Sequence, residues 1–212
     1  VWALINGYTP PDGPRHDLLA KFTKDGWEEV PRPATCSVMG FCFDFDGAAW
    51  FMFYRPRPFD SYSLGHLRDG QWDFFPLADI DTMFEQGDPM VVRSPGELWI
   101  GTSQAVSPPT ECVYVFQDGR LAQTYRYPED GLAGTDPIDL AVDRQGRVWM
   151  PDSTLGVSLF DGEQWTAFNT LNSGLPSNFV NGVAAAPDDS VWFTTGAGLA
   201  RYQNGLWSTY TG

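Results

Sequence analysis

Few residues in this chain could do covalent chemistry. His16 and His66 are the only histidines, and Cys36, Cys42 and Cys112 the only cysteines. Nucleophilic hydrolysis needs a Ser or Cys beside a positioned His and an acid. Neither Cys42, Cys112 nor any serine sits in a nucleophile-elbow context, and the chain reads as non-catalytic. Metal binding is the second chemistry to weigh. Asp44-Phe45-Asp46-Gly47 sets two carboxylates two residues apart, on one face of a strand end, and Asp139, Asp143 and Asp152 fall close together further on. Such oxygen-rich groups suit Ca2+, yet an Asp before Gly is commonly a turn former that satisfies its own backbone. The sequence requires no cofactor, and Ca2+ is the one candidate. Recognition is the third. Arg55 and Arg57, flanked by Tyr54, Phe59 and Tyr62, form the one concentrated basic and aromatic feature of an acidic chain. They could hold a carboxylate or stack on a sugar ring. Alternatively they pack their own loop and pair with Asp60 or Asp79.

Charge and composition narrow the partners. With 27 acidic against 13 basic residues the formal net charge is −14, and Lys21 and Lys24 are the only lysines. That field repels a phosphate backbone and an anionic membrane surface, which excludes nucleic acid and disfavours lipid. No apolar run reaches the roughly 20 residues of a membrane helix, so this segment is not expected to insert in a membrane. The chain starts at Val1 without a basic and apolar leader pattern, compatible with removal of upstream sequence. Three cysteines allow three packed thiols or one bridge using Cys36, and leave the compartment open.

The elements that would position these groups are legible from tryptophan. Trp2, Trp50, Trp99, Trp149 and Trp192 share one local frame (VWALI, AWFMF, LWIGT, VWMPD, VWFTT), separated by 48, 49, 50 and 43 residues. After each comes a tight turn into a further strand, at Asp25-Gly26, Asp69-Gly70, Asp118-Gly119, Asp161-Gly162 and Asn204-Gly205; Asp-Gly and Asn-Gly between apolar runs are strong hairpin signals. Another turn precedes four of the five tryptophans. Each unit therefore has four short strands, which in the last unit are expected at 179–185, 191–195, 199–202 and 207–211. A period of ~40 to 50 residues with four strands per unit is that of a β-propeller blade. The expected fold is an all-β propeller with five recognisable four-stranded blades, about 1–33, 34–78, 79–128, 129–170 and 171–212. The tryptophans read as inter-blade core.

The pattern Gly174-Leu175-Pro176-Ser177-Asn178, then a D-x-x-G-x-x-W element, then G-L-x-x-Y-x-G-x-W, resembles the two-component-regulator propeller repeat of bacterial sensor proteins. The match is closest over 171–212, good over 136–168 where Asp143 to Trp149 carry the middle element, and supported by Leu98 to Thr102 in the third unit. Units one and two keep only turns and tryptophans. The resemblance implies an extracytoplasmic sensor or ligand-binding module. A propeller lyase that opens cyclic peptide antibiotics shares the D-x-x-G-x-x-W pattern, but enzymes of that kind cluster His and Glu around Mg2+, and units three to five here hold no His.

Two irregularities point to where function would sit. The first unit begins at its Trp strand and lacks an innermost strand, leaving an edge that suggests flanking blades or a partner chain at the gap; a self-contained five-bladed ring is the alternative. Length variation also falls on one face only, in the loops 6–16, 55–62 and 103–110 and the connection 77–87. Long loops on a rigid scaffold are where binding concentrates. The candidate ligand-binding residues are therefore Tyr8, His16, Tyr54, Arg55, Arg57, Phe59, Tyr62 and Phe84, and the partner a small molecule, a glycan or a protein. A protein-interaction scaffold or assembly subunit is the alternative function.

Overall fold

The computed structural model describes residues 2–8, 16–31, 36–56, 60–77, 80, 84–103 and 112–211, with backbone alone for 2–8 and 16–18. It is all-β: among the described residues nineteen strands form five antiparallel sheets, each from one continuous stretch of chain. The first sheet has three strands, β1 (Trp2–Tyr8), β2 (His16–Thr23) and β3 (Gly26–Glu29). The second has β4 (Ser37–Phe43), β5 (Ala49–Arg55), β6 (Ser61–Arg68) and β7 (Gln71–Pro76). The third runs β8 (Met90–Ser94), β9 (Glu97–Gly101), β10 (Val113–Gln117) and β11 (Arg120–Tyr125). In the fourth are β12 (Ala141–Val142), β13 (Val148–Asp152), β14 (Gly156–Phe160) and β15 (Trp165–Phe168). The fifth holds β16 (Val180–Ala185), β17 (Val191–Thr195), β18 (Gly198–Gln203) and β19 (Leu206–Tyr210). These are five propeller blades, the first with three strands among the described residues, as the repeat predicts. No helix among the described residues is long and apolar enough to cross a membrane.

The turns behave as their residues dictate. Asp69 and Gly70 take φ of 50° and 77°, Asp118 and Gly119 49° and 76°, Asn204 and Gly205 51° and 80°, the paired positive values of a type I′ hairpin. One strand is shorter than its alignment suggests. In the fourth blade the innermost strand shrinks to two residues, because Pro137 makes only an isolated bridge to Asp152 and the Asp139 carboxylate accepts from the Leu140 and Val183 amides instead.

Each blade packs on the next in chain order, and strand alternation decides which side chains fill each seam. In β9, Leu98 and Ile100 face the second blade while Trp99 faces the fourth; in β13, Val148 and Met150 face the third and Trp149 the fifth. Trp50, Trp99 and Trp149 are at most 2% exposed. Their indole N–H groups need acceptors once buried: Trp99 donates to Glu97 Oε1 and Trp149 to Asp143 Oδ2, both at 2.8 Å. Burial alone would raise Glu97, but hydrogen bonds from Ser94, Trp99 and Arg93 outweigh it and hold this carboxyl below its ordinary range.

Candidate functional site

The second blade carries most of the chemistry singled out in the sequence, and its alternation divides that chemistry between two seams. Arg55, Ser61 and Ser63 lie on the side facing the first blade, with Phe53 and Gly65; Tyr54 and Tyr62 pair across β5 and β6 on the side facing the third. Of the basic and aromatic patch expected from sequence, Arg55 thus faces one seam and the Tyr54–Tyr62 pair the other, since neighbouring residues in a strand point to opposite faces. Arg57 and Phe59, with Asp79, lie outside the described residues.

On the first-blade side, at the end where β5 passes to β6, Arg55, Ser61, Ser63, Phe74, Pro76 and Cys36 line a depression of about 370 Å³, with Tyr62 at its rim. The size falls in the range of small-molecule sites. An exposed arginine and two serine hydroxyls stand over a wall of Phe74, itself 46% exposed, and Pro76. Ser61, Ser63, Phe74 and Pro76 were not singled out from sequence. The readable signal was the strand itself, where Ser61 and Ser63 must share the face of Arg55.

On the other side an aromatic ladder runs Tyr54, Tyr62, Phe84, Tyr114, with ring centroids 5.1 to 5.4 Å apart. The Tyr54 hydroxyl donates to Asp60 at 2.7 Å and the Tyr62 hydroxyl to the Phe84 carbonyl at 3.0 Å. Burial, then the charges of Asp60, Asp88 and Glu85, push the Tyr62 phenol up. Phe84 differs from the sequence expectation. It is 2% exposed, packed with Leu77 and Ile80 in the core between the second and third blades. Tyr8 and His16, expected in a loop, are in strands and form the last rung of the β1–β2 ladder.

The opposite end of the second blade holds a charged cluster. His66 stacks on Trp50 at 4.2 Å and 12° and approaches the buried Asp44 carboxylate with Nε2 at 3.0 Å. Arg68 reaches both Asp44 and Asp46, at 3.4 and 3.0 Å, and Asp44 Oδ1 is buried without a partner. A hydrogen bond with Asp44, then the Ala48 amide, holds Asp46 below its ordinary range. Beside it, Lys21, Glu28, Asp46, Arg68 and Trp72 line a groove of about 690 Å³ between the first two blades. Arg68 thus bridges the Asp44–Asp46 pair noted in the sequence, and the His66 ring stands against Asp44.

The other carboxylates singled out in the sequence accept hydrogen bonds from nearby backbone and side chains. Asp143 accepts from the Gln145 and Arg147 amides, the Arg147 side chain and Trp149. Asp152 accepts from the amides of Asp136, Thr154 and Leu155. All three cysteines are thiols, and burial, then the Asp44 charge, pushes Cys42 up to about 12. A thiol with that value stays protonated at neutral pH and makes a poor nucleophile.

No family model matches the chain, and no curated protein matches it in sequence. Solved structures do match. The extracellular domain assigned to a hybrid two-component system of B. thetaiotaomicron superposes with a TM-score of 0.62 at 19% identity, covering 98% of this chain and 28% of that one. Virginiamycin B lyase from Staphylococcus aureus gives 0.53 at 16% identity, covering 98% and 84%. A gluconolactonase from Xanthomonas campestris gives 0.52 at 18% identity, covering 84% and 62%. The chain thus spans little more than a quarter of the two-component domain it resembles. At these identities the likeness is one of fold, and the fold is the β-propeller.

Proposed function

We propose that the protein is a non-catalytic ligand-binding propeller module of an extracytoplasmic sensor, and that the depression on the second blade is its binding site. The observation that carries this reading is the convergence of Arg55, Ser61 and Ser63 over an apolar wall, at the end of the second blade where β5 passes to β6. A guanidinium with neighbouring hydroxyls suits a carboxylate, and Phe74 offers a face for a sugar ring or an aliphatic stem. A small organic acid or an acidic sugar is the ligand class this chemistry favours. The likeness in fold to extracellular domains of two-component systems supports a sensing role and an extracytoplasmic location.

The test is a thermal-shift and calorimetric screen of uronic acids, small organic acids and neutral sugars. Acidic ligands should stabilise the protein, and Arg55→Ala should abolish the shift while leaving the melting temperature without ligand nearly unchanged, because Arg55 is exposed. Replacing Arg55, Arg57 and Phe59 together should do the same. A large loss of stability in Arg55→Ala would mark the residue as structural, and an undiminished ligand response in that variant would move the site elsewhere.

A further inference from the structure

The segment Phe84–Asp88 links the rim of the Arg55 depression to a buried carboxylate. Phe84 packs against the Tyr62 and Tyr114 rings, and its carbonyl accepts the Tyr62 hydroxyl at 3.0 Å. Tyr62 in turn stands at the rim of the depression. Further along, Asp88 closes a tight turn. Its Oδ2 accepts the Glu85 amide at 2.9 Å, and its own amide donates to the Glu85 carbonyl at 3.2 Å. The Gly87 amide ties the same turn to β4, donating to the Met39 carbonyl at 3.1 Å.

The group that closes this turn is poorly placed to carry charge. Asp88 is 8% exposed. Gly101 leaves no room for a side chain between Pro89 and Pro137, so the residues next to these three, Asp88, Thr102 and Asp136, emerge at one place. The charges facing Asp88 are both negative, Glu85 in its own turn and Asp136 ahead of β12. From β6 the Tyr62 phenol is close enough to be raised by the Asp88 charge. At the end of β9 the wholly buried Thr102 hydroxyl stands beside the carboxyl and helps to hold it down, without reaching hydrogen-bond geometry. Burial, then the Glu85 and Asp136 charges, nevertheless hold Asp88 up at about 6.

We propose that the Glu85–Asp88 turn is a pH-sensitive latch on the rim of the depression. With Asp88 neutral the turn is closed and fixes Tyr62 through Phe84; with Asp88 charged the turn opens locally, returns the carboxylate to water and loosens Tyr62. Its bearing on recognition rests on the ligand site proposed above, whereas the latch itself is measured without ligand. A carboxyl raised from 3.8 to about 6 in the closed turn favours closure fully below 3.8, and that contribution is lost as pH rises through about 6. If opening returns the group to its ordinary value, the opening constant rises roughly tenfold between about pH 5 and 7.

The test is amide hydrogen exchange by NMR on the ligand-free protein, corrected for the intrinsic pH dependence of exchange. The Glu85, Gly87 and Asp88 amides should exchange by local opening, faster than the amides that pair β17 with its neighbours. Their protection should fall roughly tenfold between about pH 5 and 7. Asp88→Asn keeps an oxygen for the Glu85 amide but cannot ionise, and should flatten that fall. Tyr62→Phe deletes the hydroxyl that holds Phe84 and should raise opening about fivefold at both pH values, as loss of one net hydrogen bond does. Should either variant misfold, the wild-type pH series still decides. Turn amides that exchange only together with β17, protection that does not fall with pH, a fall that persists in Asp88→Asn, or a turn indifferent to Tyr62→Phe overturns the proposal.

Discussion

Replacing Asp143 tests how the blades are held together. Its side chain is 2% exposed and makes four hydrogen bonds. Oδ1 accepts the Gln145 and Arg147 amides at 3.0 Å each; Oδ2 accepts Arg147 Nε at 2.7 Å and Trp149 Nε1 at 2.8 Å. Asp143→Ala strands the indole N–H of a fully buried tryptophan and removes the anion facing a mostly buried guanidinium. Breaking such a pair from one side costs ~3–5 kcal/mol. In a domain of this size each kcal/mol moves the melting temperature by about 2–4 °C, so the fall should be roughly 6–20 °C. Asp143→Asn keeps an oxygen for the turn but turns an amide donor on Arg147 and Trp149, and should recover only part of the loss. Asp161→Ala is the control, since that carboxylate accepts the Glu163 and Gln164 amides in solvent and serves no tryptophan. Urea and thermal unfolding, followed by tryptophan fluorescence, measure all three. Should Asp143→Ala lose no more stability than Asp161→Ala, or Asp143→Asn match the wild type, the seam does not depend on this carboxylate.

Three further outcomes follow from the same reasoning. Burial holds Asp88 up at about 6 against an ordinary 3.8, so between those values the folded protein keeps a proton that the unfolded chain has released. The stability this proton supplies is complete below 3.8 and is lost as pH rises through about 6, by up to about 3 kcal/mol; Asp88→Asn should flatten that fall in pH-dependent urea titrations. Gly119→Ala puts a methyl group into the Phe75 ring at a φ of 76° and should cost about 2–4 kcal/mol by urea denaturation, whereas Gly47→Ala, at a φ of 85° in open space, should cost only ~1–2. The Cys42 thiol, pushed up to about 12, should resist alkylation at neutral pH in the native protein and react fully once urea unfolds it, as read by mass spectrometry.

The fold was legible because its determinants are local and repeated. Trp spacing, alternation and Asp-Gly turns each act within a few residues, and in the last blade they place β17 at its observed limits and the other three strands within a residue. The site was legible only in part. Arg55, Tyr54 and Tyr62 stand out by type, but which seam each enters depends on how far β5 and β6 extend into the expected loop, and cross-strand pairing decides that. Phe84 resembled a loop residue because nothing local reports that its ring packs between two blades. The cation over Trp99, Trp149 and Trp192 was illegible for a related reason. Arg93 reaches Trp99 from the innermost strand, Arg147 comes from two residues before its tryptophan, and Arg201 from the third strand. One contact with three sequence positions leaves no motif to read.

That freedom makes the second blade informative. His66 occupies against Trp50 the cross-strand position that Arg201 occupies against Trp192, so an imidazole stacks where an arginine stacks in the fifth blade. Asp44, six residues before Trp50 as Asp143 is before Trp149, turns its carboxylate to that imidazole rather than to the indole. A stacked imidazole fills the seam as a planar ring, but it carries fewer donors than a guanidinium, and Asp44 Oδ1 is left without one. His66→Arg should therefore supply the missing donor and raise stability, while His66→Ala exposes one face of Trp50 and leaves Asp44 more dependent on Arg68. If His66→Arg is instead destabilising by urea denaturation, the seam is shaped to the imidazole itself, and the departure from the arginine pattern is specific to this blade rather than a tolerated substitution. The blade that departs from the pattern at this seam is also the one whose opposite end carries the Arg55 depression, so both of its ends differ from the regular scaffold of the fourth and fifth blades.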